Sequence, residues 1–163
     1  MMGAGQRGEG SGGWGVILAS LFVALILRTL PWSGWGLWLR PDFLLVAVLF
    51  WAHRAPARVG LGLAWLLGLL TDFQQGIVLG QYALAYVLAV YLVQLWQRRL
   101  AVFSLPQQSL HIFAVLLLVQ VVALATGWIS GRPPVDGLSF LSTISGALLW
   151  YGLMLGSRTR FAA

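Results

Sequence analysis

Apolar residues fall into six runs divided by short gaps rich in Arg, Pro, Gly and Trp. The first run extends from Trp14 to Leu30 and stops at Pro31, with Arg28 near its end. The gap that follows, Trp32 to Arg40, carries Trp32, Trp35 and Trp38, whose amphipathic rings suit a membrane–water interface. Pro41 opens the second run, Asp42 to Ala52, which puts a proline at the first helical position and an acid where a helix start welcomes negative charge. That run stops at His53-Arg54-Ala55-Pro56-Ala57-Arg58. The third, Val59 to Leu70, stops at Thr71-Asp72. The fourth, Gly76 to Trp96, is the clearest span, at about 31 Å of helix. Ser104 and Pro106 mark the start of the helix that carries the fifth run, Leu110 to Trp128. A Gly/Pro loop, Ser130 to Gly137, leads to the sixth, Leu138 to Leu155, which ends at Arg158 and Arg160.

Runs two and three reach only about 16 to 18 Å as helices, against a hydrocarbon core of about 30 Å. They must borrow flanking residues or sit where the protein thins the bilayer. Three threadings of 42–70 compete: two short spans, one kinked span, or a re-entrant loop. The second and third bury His53, Arg54 and Arg58, at roughly 2.5 to 3.5 kcal/mol per arginine. Pro56 would also break the hydrogen-bond ladder of a continuous helix. Two short spans leave that turn in water, and six spans in all follow. With the N-terminus inside, the cytoplasmic side holds Arg7, Arg54, Arg58, Arg98, Arg99, Arg158 and Arg160, as the positive-inside bias requires. The far side holds Arg40, Arg132 and Arg28, with Asp42, Asp72 and Asp136. A five-span model with the opposite N-terminus also places most arginines inside, so the cost of burying the 53–58 turn decides the number.

Composition confirms the class. Of 163 residues 60% are hydrophobic and 9% charged, where a soluble domain carries about 25% charged residues. Too little polar surface is left to face water, and the expected fold is an all-α integral membrane protein. The formal charge of +6 comes from arginines in the gaps, which reads as topology rather than nucleic-acid binding. With no cysteine, disulfides and thiolate metal sites are excluded. Residues 1–13 are Gly-rich and read as a disordered tail, and 14–160 as one helical membrane domain. A cleaved signal peptide is the alternative for the first run. Only Arg7 precedes it and Arg28-Thr29-Leu30-Pro31 follows, so a retained span is preferred.

Candidate chemistry is sparse. Asp72 ends a short apolar run, and an acid at membrane depth is a candidate functional site. Its bland alternative is an interfacial acid that caps the next helix. Asp42 has the same alternative as a first-turn acid. In the six-span model both acids share the outer side with Arg28 and Arg40, where the four can form a polar cluster. Gln81 and Gln120 lie within apolar runs and suit hydrogen bonds between helices. Small residues recur at four-residue spacing as Ala64/Gly68, Gly76/Gly80, Ser142/Gly146 and Gly152/Gly156. Such pairs let helix backbones approach, within a bundle or against a partner's helix. Trp14, Trp96, Trp128, Trp150 and Tyr151 read as belt anchors. His53 and His111 are far apart, and no HExxH, Walker loop or Ser–His–Asp set occurs. Neither an enzyme, a metal site nor a cofactor is expected.

Three stretches carry a resemblance. Arg40-Pro41-Asp42-Phe43-Leu44-Leu45 opens a run that ends in Phe50-Trp51. Arg58-Val59-Gly60-Leu61-Gly62-Leu63-Ala64-Trp65-Leu66-Leu67-Gly68-Leu69-Leu70-Thr71-Asp72 follows, then Gly76 and Leu79-Gly80-Gln81-Tyr82-Ala83-Leu84-Ala85-Tyr86. These resemble the MreD family, the rod shape-determining membrane proteins of bacteria, over about residues 14–160. The resemblance implies a six-helix bundle similar to the substrate-binding components of energy-coupling-factor transporters. It implies the inner membrane, no catalytic activity, and MreC as partner through its transmembrane helix, within an elongation machinery that includes RodA, a class B penicillin-binding protein and MreB. Pro41, Asp42, Gly68, Asp72, Gly76 and Gly80 match as motif residues. The Gly-rich N-terminal tail departs from the family pattern. Two functions stand: a non-enzymatic scaffold that binds MreC, and a small-molecule-binding or transport subunit with Asp42, Asp72, Arg28 and Arg40 around an outward pocket.

Overall fold

The computed structural model describes residues 9–31, 33, 34, 36, 39–100, 102–131 and 140–160. Trp32, Trp35, Trp38, Arg132 and Asp136 lie outside the described residues. Six helices of twelve or more residues are present among the described residues: α1 Glu9–Thr29, α2 Phe43–Arg54, α3 Leu61–Gln75, α4 Gln81–Leu95, α6 Leu105–Ile129 and α7 Leu141–Arg160. A four-residue helix, α5 Gln97–Leu100, follows α4. No strand occurs among the described residues. α1 starts at Glu9, inside the stretch read as a tail, where Gly13 lies directly against the Arg58 guanidinium.

Local chemistry sets the ends. Asp42 is the N-cap of α2: its Oδ1 accepts from the Leu45 N–H at 3.2 Å, so Pro41 precedes the helix rather than opening it. The chain breaks at 55–60, where Arg58 N–H and Val59 N–H both donate to the Ala55 carbonyl. Residues 42–70 are therefore two helices, not one kinked helix. At α6, Gln107 Oε1 accepts from the Ser104 N–H at 3.1 Å and Pro106 sits in the first turn, as the sequence suggests. The fourth run departs from expectation. Only its 15 residues from Gln81 are helical, because Gly76 and Gly80 both adopt left-handed backbone, at φ +62° and +106°.

α2 is the central helix. Leu44, Leu45, Val46, Val48, Leu49 and Ala52 are all buried, as expected of a helix that is apolar all round. It packs against α1, α4 and α7, while α4 also packs on α3 and α6, and α6 on α7. Side-chain hydrogen bonds close the seams. Trp51 Nε1–H donates to Ser20 Oγ at 2.7 Å, joining α2 to α1. Gln81 donates to the Ala123 carbonyl at 2.6 Å, joining α4 to α6. Gln94, Gln97 and Gln108 donate to the carbonyls of Val59, His53 and Leu100, quieting acceptors that helix ends and turns leave over.

These contacts fix which helix ends are neighbours. One end gathers Arg28 of α1, Asp42 before α2, Thr71 of α3, Gln81 of α4 and Ala123 of α6. The other gathers Gly13 of α1, the ends of α2 and α7 joined by Arg54 and Ser157, the Gln94–Val59 link, and the Trp96–His111 contact at the start of α6. Successive long helices therefore run up and down. Arg54, Arg58, Arg98 and Arg99 lie at the second end, opposite Asp42 and Asp72.

The exterior is apolar. Phe22, Leu66, Phe73, Leu84, Leu110, Leu148 and many other large hydrophobics are exposed. α6, at 25 residues, is long and apolar enough to cross a membrane, whereas Gly13–Thr29, Phe43–Arg54, Gln81–Leu95 and Leu141–Ser157 are apolar but shorter.

Candidate functional site

Two polar devices lie at the acid-bearing end. The first joins four elements. Arg28, 8% exposed, reaches from the last turn of α1 and places Nη1 3.0 Å from Asp42 Oδ1. The same Nη1 lies 3.1 Å from Tyr86 Oη and 3.3 Å from Thr71 Oγ1. Tyr86, fully buried on α4, donates its hydroxyl proton to Asp42 Oδ2 at 2.8 Å. Thr71 donates its single proton to the Leu67 carbonyl at 3.0 Å. Each hydroxyl thus gives its one proton away and accepts from the guanidinium. Charge balances within the Arg28–Asp42 pair, and the two Nη1 protons are shared among three acceptors, the carboxylate at 3.0 Å being the nearest. Arg28 also lies over the Tyr82 ring, 6.0 Å from its centroid, at the edge of cation–π range.

The second device is a cap supplied in trans. Asp72, fully buried in the last turn of α3, turns away from Arg28 and onto the start of α4. Its Oδ2 accepts from the Gly80 N–H at 2.8 Å and the Ala83 N–H at 3.3 Å, and its Oδ1 from the Tyr82 N–H at 2.7 Å. Gly80 has no side chain with which to cap, and the acid of the preceding helix does so instead, at the positive end of the α4 dipole. The turn that allows this is glycine's. Gly76 ends α3 in left-handed backbone, with Ile77 N–H returning to the Asp72 carbonyl at 3.3 Å. Gly68 lets the two helices close, since a Cβ there would stand 2.8 Å from both Ala83 N and Tyr82 O.

The expected cluster of Arg28, Arg40, Asp42 and Asp72 is therefore half assembled. Arg28 and Asp42 meet; Asp72 does not join them. Arg40 sits in the loop before Asp42, half-buried; partial burial and then the Arg28 charge lower its pKa, and Asp42 opposes them. The small-residue positions divide as well. Gly68 and Gly146 serve close approach, the latter with a Cβ position 2.8 Å from Leu116 Cδ1. Gly76 and Gly80 are not a helix-packing pair: they lie in a turn, face open space and are needed for positive φ. Gly152 and Gly156 lie on an exposed face of α7, where an added Cβ meets nothing within 4 Å. Tyr86 and Thr71 escaped the sequence reading. Their signal was present, as a tyrosine inside an apolar run and a threonine next to the acid.

The family model for the rod shape-determining protein MreD matches residues 11–155. The chain belongs to the MreD family. A curated relative, the rod shape-determining protein MreD of Haemophilus influenzae, is 26% identical over 137 residues, covering 84% of this chain and 85% of that one. No solved structure matches the chain. In this MreD-family chain the quoted motif residues do identifiable work. Asp42 caps α2 and holds Arg28, while Gly68, Asp72, Gly76 and Gly80 together build the α3–α4 clasp.

Proposed function

We propose that the chain is a non-enzymatic scaffold of the bacterial elongation machinery, held in the cytoplasmic membrane by six spans with both termini inside. Its proposed partner is the transmembrane helix of MreC, within an assembly that includes RodA, a class B penicillin-binding protein and MreB, and through which it influences cell shape and peptidoglycan synthesis. Family membership carries the reading. The up-and-down helix order supports the topology, with Arg54, Arg58, Arg98 and Arg99 at one end and Asp42 and the buried Asp72 at the other. α2, α3 and α4, at 12, 15 and 15 residues, provide only about 18 to 23 Å of helix each, so the spans they make depend on a locally thinned bilayer or on adjoining turns.

The polar end weighs toward a scaffold rather than a transporter pocket. A ligand site needs polar groups left over for the ligand. Asp72 gives both oxygens to backbone N–H groups, and Asp42 is engaged by Arg28, Tyr86 and Leu45. What remains exposed is apolar helix surface, including the open Gly152 position, and such a surface suits another membrane helix. Co-purification in mild detergent tests the proposal. The chain and full-length MreC are expected to elute together from a size-exclusion column, and separate elution at micromolar concentration would overturn it.

A further inference from the structure

α6 and α7 enclose an open groove of about 480 Å³ on the exterior of the bundle. Its walls are Leu110 and Phe113 from α6, and Ile144, Ala147 and Leu148 from α7, with Ser109 and Tyr151 supplying the polar atoms. Its direction follows from the helix order. Pro106 and Ser109 lie in the first turns of α6 and Tyr151 in the second half of α7, so the groove lies in the half of the bundle nearer the end that carries Arg54, Arg58, Arg98 and Arg99. Arg98 and Arg99 are exposed on α5, immediately before α6. Asp42 and Asp72 are at the opposite end. The site is thus amphiphilic along its length: apolar at membrane depth, hydroxyl-bearing toward its mouth, and basic beyond it.

We propose that this groove holds an anionic phospholipid, with one acyl chain between α6 and α7 and the phosphate drawn to Arg98 and Arg99. Two arginines at a bilayer surface each favour an acidic headgroup by an amount that together gives roughly thirtyfold preference over a zwitterionic one. The apolar walls supply affinity without discriminating headgroups, and the arginines supply the discrimination. A partner helix would fill the apolar walls equally well, but it would leave the basic mouth without a counter-charge. The inference rests on the chain being in a bilayer and not on its binding MreC, so a failed MreC co-elution leaves it intact.

The test uses the full chain in nanodiscs of phosphatidylcholine doped with equal amounts of phosphatidylglycerol and a mass-labelled phosphatidylcholine, followed by release for native mass spectrometry. The expected result is one retained phosphatidylglycerol at roughly thirtyfold excess over labelled phosphatidylcholine. Ala147→Trp, which fills the groove, should remove the adduct. Arg98→Gln with Arg99→Gln should leave lipid bound but erase the preference. If Ala147→Trp does not fold, Leu110→Trp obstructs the same groove from an exposed position. Equal retention of both lipids by the parent chain would overturn the proposal. So would an adduct that survives groove filling, or a photo-crosslinker at Leu148 that captures a protein helix instead of lipid in native membranes.

Discussion

Asp42 and Asp72 sit at the same end of the bundle, each beside the first turn of a helix, and the structure uses them differently. Asp42 caps its own helix and turns its remaining capacity to side chains, to Arg28 and Tyr86. Asp72 caps a helix that is not its own and engages backbone N–H groups. The difference follows from what each helix start lacks. α2 begins with an acid at its N-cap, so the Leu45 N–H is met locally by the residue that starts the helix. α4 begins with Gly80 at φ +106°, where the chain must turn sharply and no side chain is present. The donors there still need an acceptor, and the buried Asp72 carboxylate supplies it. One acid therefore makes a long-range tie between α1, α2, α3 and α4, and the other makes a hairpin clasp between α3 and α4.

That contrast is broken most directly at Asp72. Asp72→Ala strands three N–H groups at once, that of the buried Ala83 and those of the part-buried Gly80 and Tyr82; at about 1–3 kcal/mol for a buried group and less for the other two, a loss of roughly 3–6 kcal/mol is expected. Asp72→Asn keeps one carbonyl acceptor and should lose about half as much. The thermal midpoint in detergent, read from the fluorescence of the nine tryptophans, is the measurement. An alanine variant that melts with the parent would mean that the carboxylate does not clasp α4.

The Arg28–Asp42 pair responds in the opposite way to removal of one partner or of both. Asp42→Leu alone leaves a buried guanidinium uncompensated and should cost about 3–5 kcal/mol. Arg28→Met with Asp42→Leu removes both charges but still loses the α2 cap and the acceptor of the buried Tyr86 hydroxyl, so recovery of about 1–2 kcal/mol relative to Asp42→Leu is expected. No equivalent rescue exists for Asp72, because its partners are backbone and cannot be mutated away. If the double variant is as unstable as Asp42→Leu, the cluster contributes more than charge balance.

The legibility of these two devices in the sequence differed for the same reason. A long helix within each of the six apolar runs, the break at 55–60 and the helix start at Ser104 all rest on local signals and appear in the structure, though the fourth run is helical only from Gln81. The bland reading of Asp72, a cap for the next helix, also rests on local chemistry and matches its geometry. What local signals could not supply was orientation. Asp72 and Asp42 look alike along the chain, and a shared side with Arg28 and Arg40 allows a cluster without showing which of the four touch. Gly76 and Gly80 show the same limit. Four-residue spacing means a common face only if the segment is helical, and a left-handed glycine at each position ends that condition. Tyr86 meets Asp42 across 44 positions of sequence, a pairing that only the fold can bring about.

The smallest expected effect on the fold lies at Gly152, and for that reason it separates folding from partner binding best. A Cβ added there meets nothing within 4 Å, and the backbone is ordinary helix, so neither collision nor strain opposes a side chain. Gly152→Ala should leave stability unchanged or raise it by up to about 1 kcal/mol, since glycine is the poorer helix former. Gly152→Leu should melt within about 0.5 kcal/mol of the parent, as surface substitutions do. If the open face of α7 receives the MreC helix at close backbone range, the leucine holds the two helices apart and co-elution falls while the melting profile does not move. If co-elution persists at parental strength, the partner helix lies on another face, and Gly152 is simply a lipid-exposed glycine in a helix that does not need it.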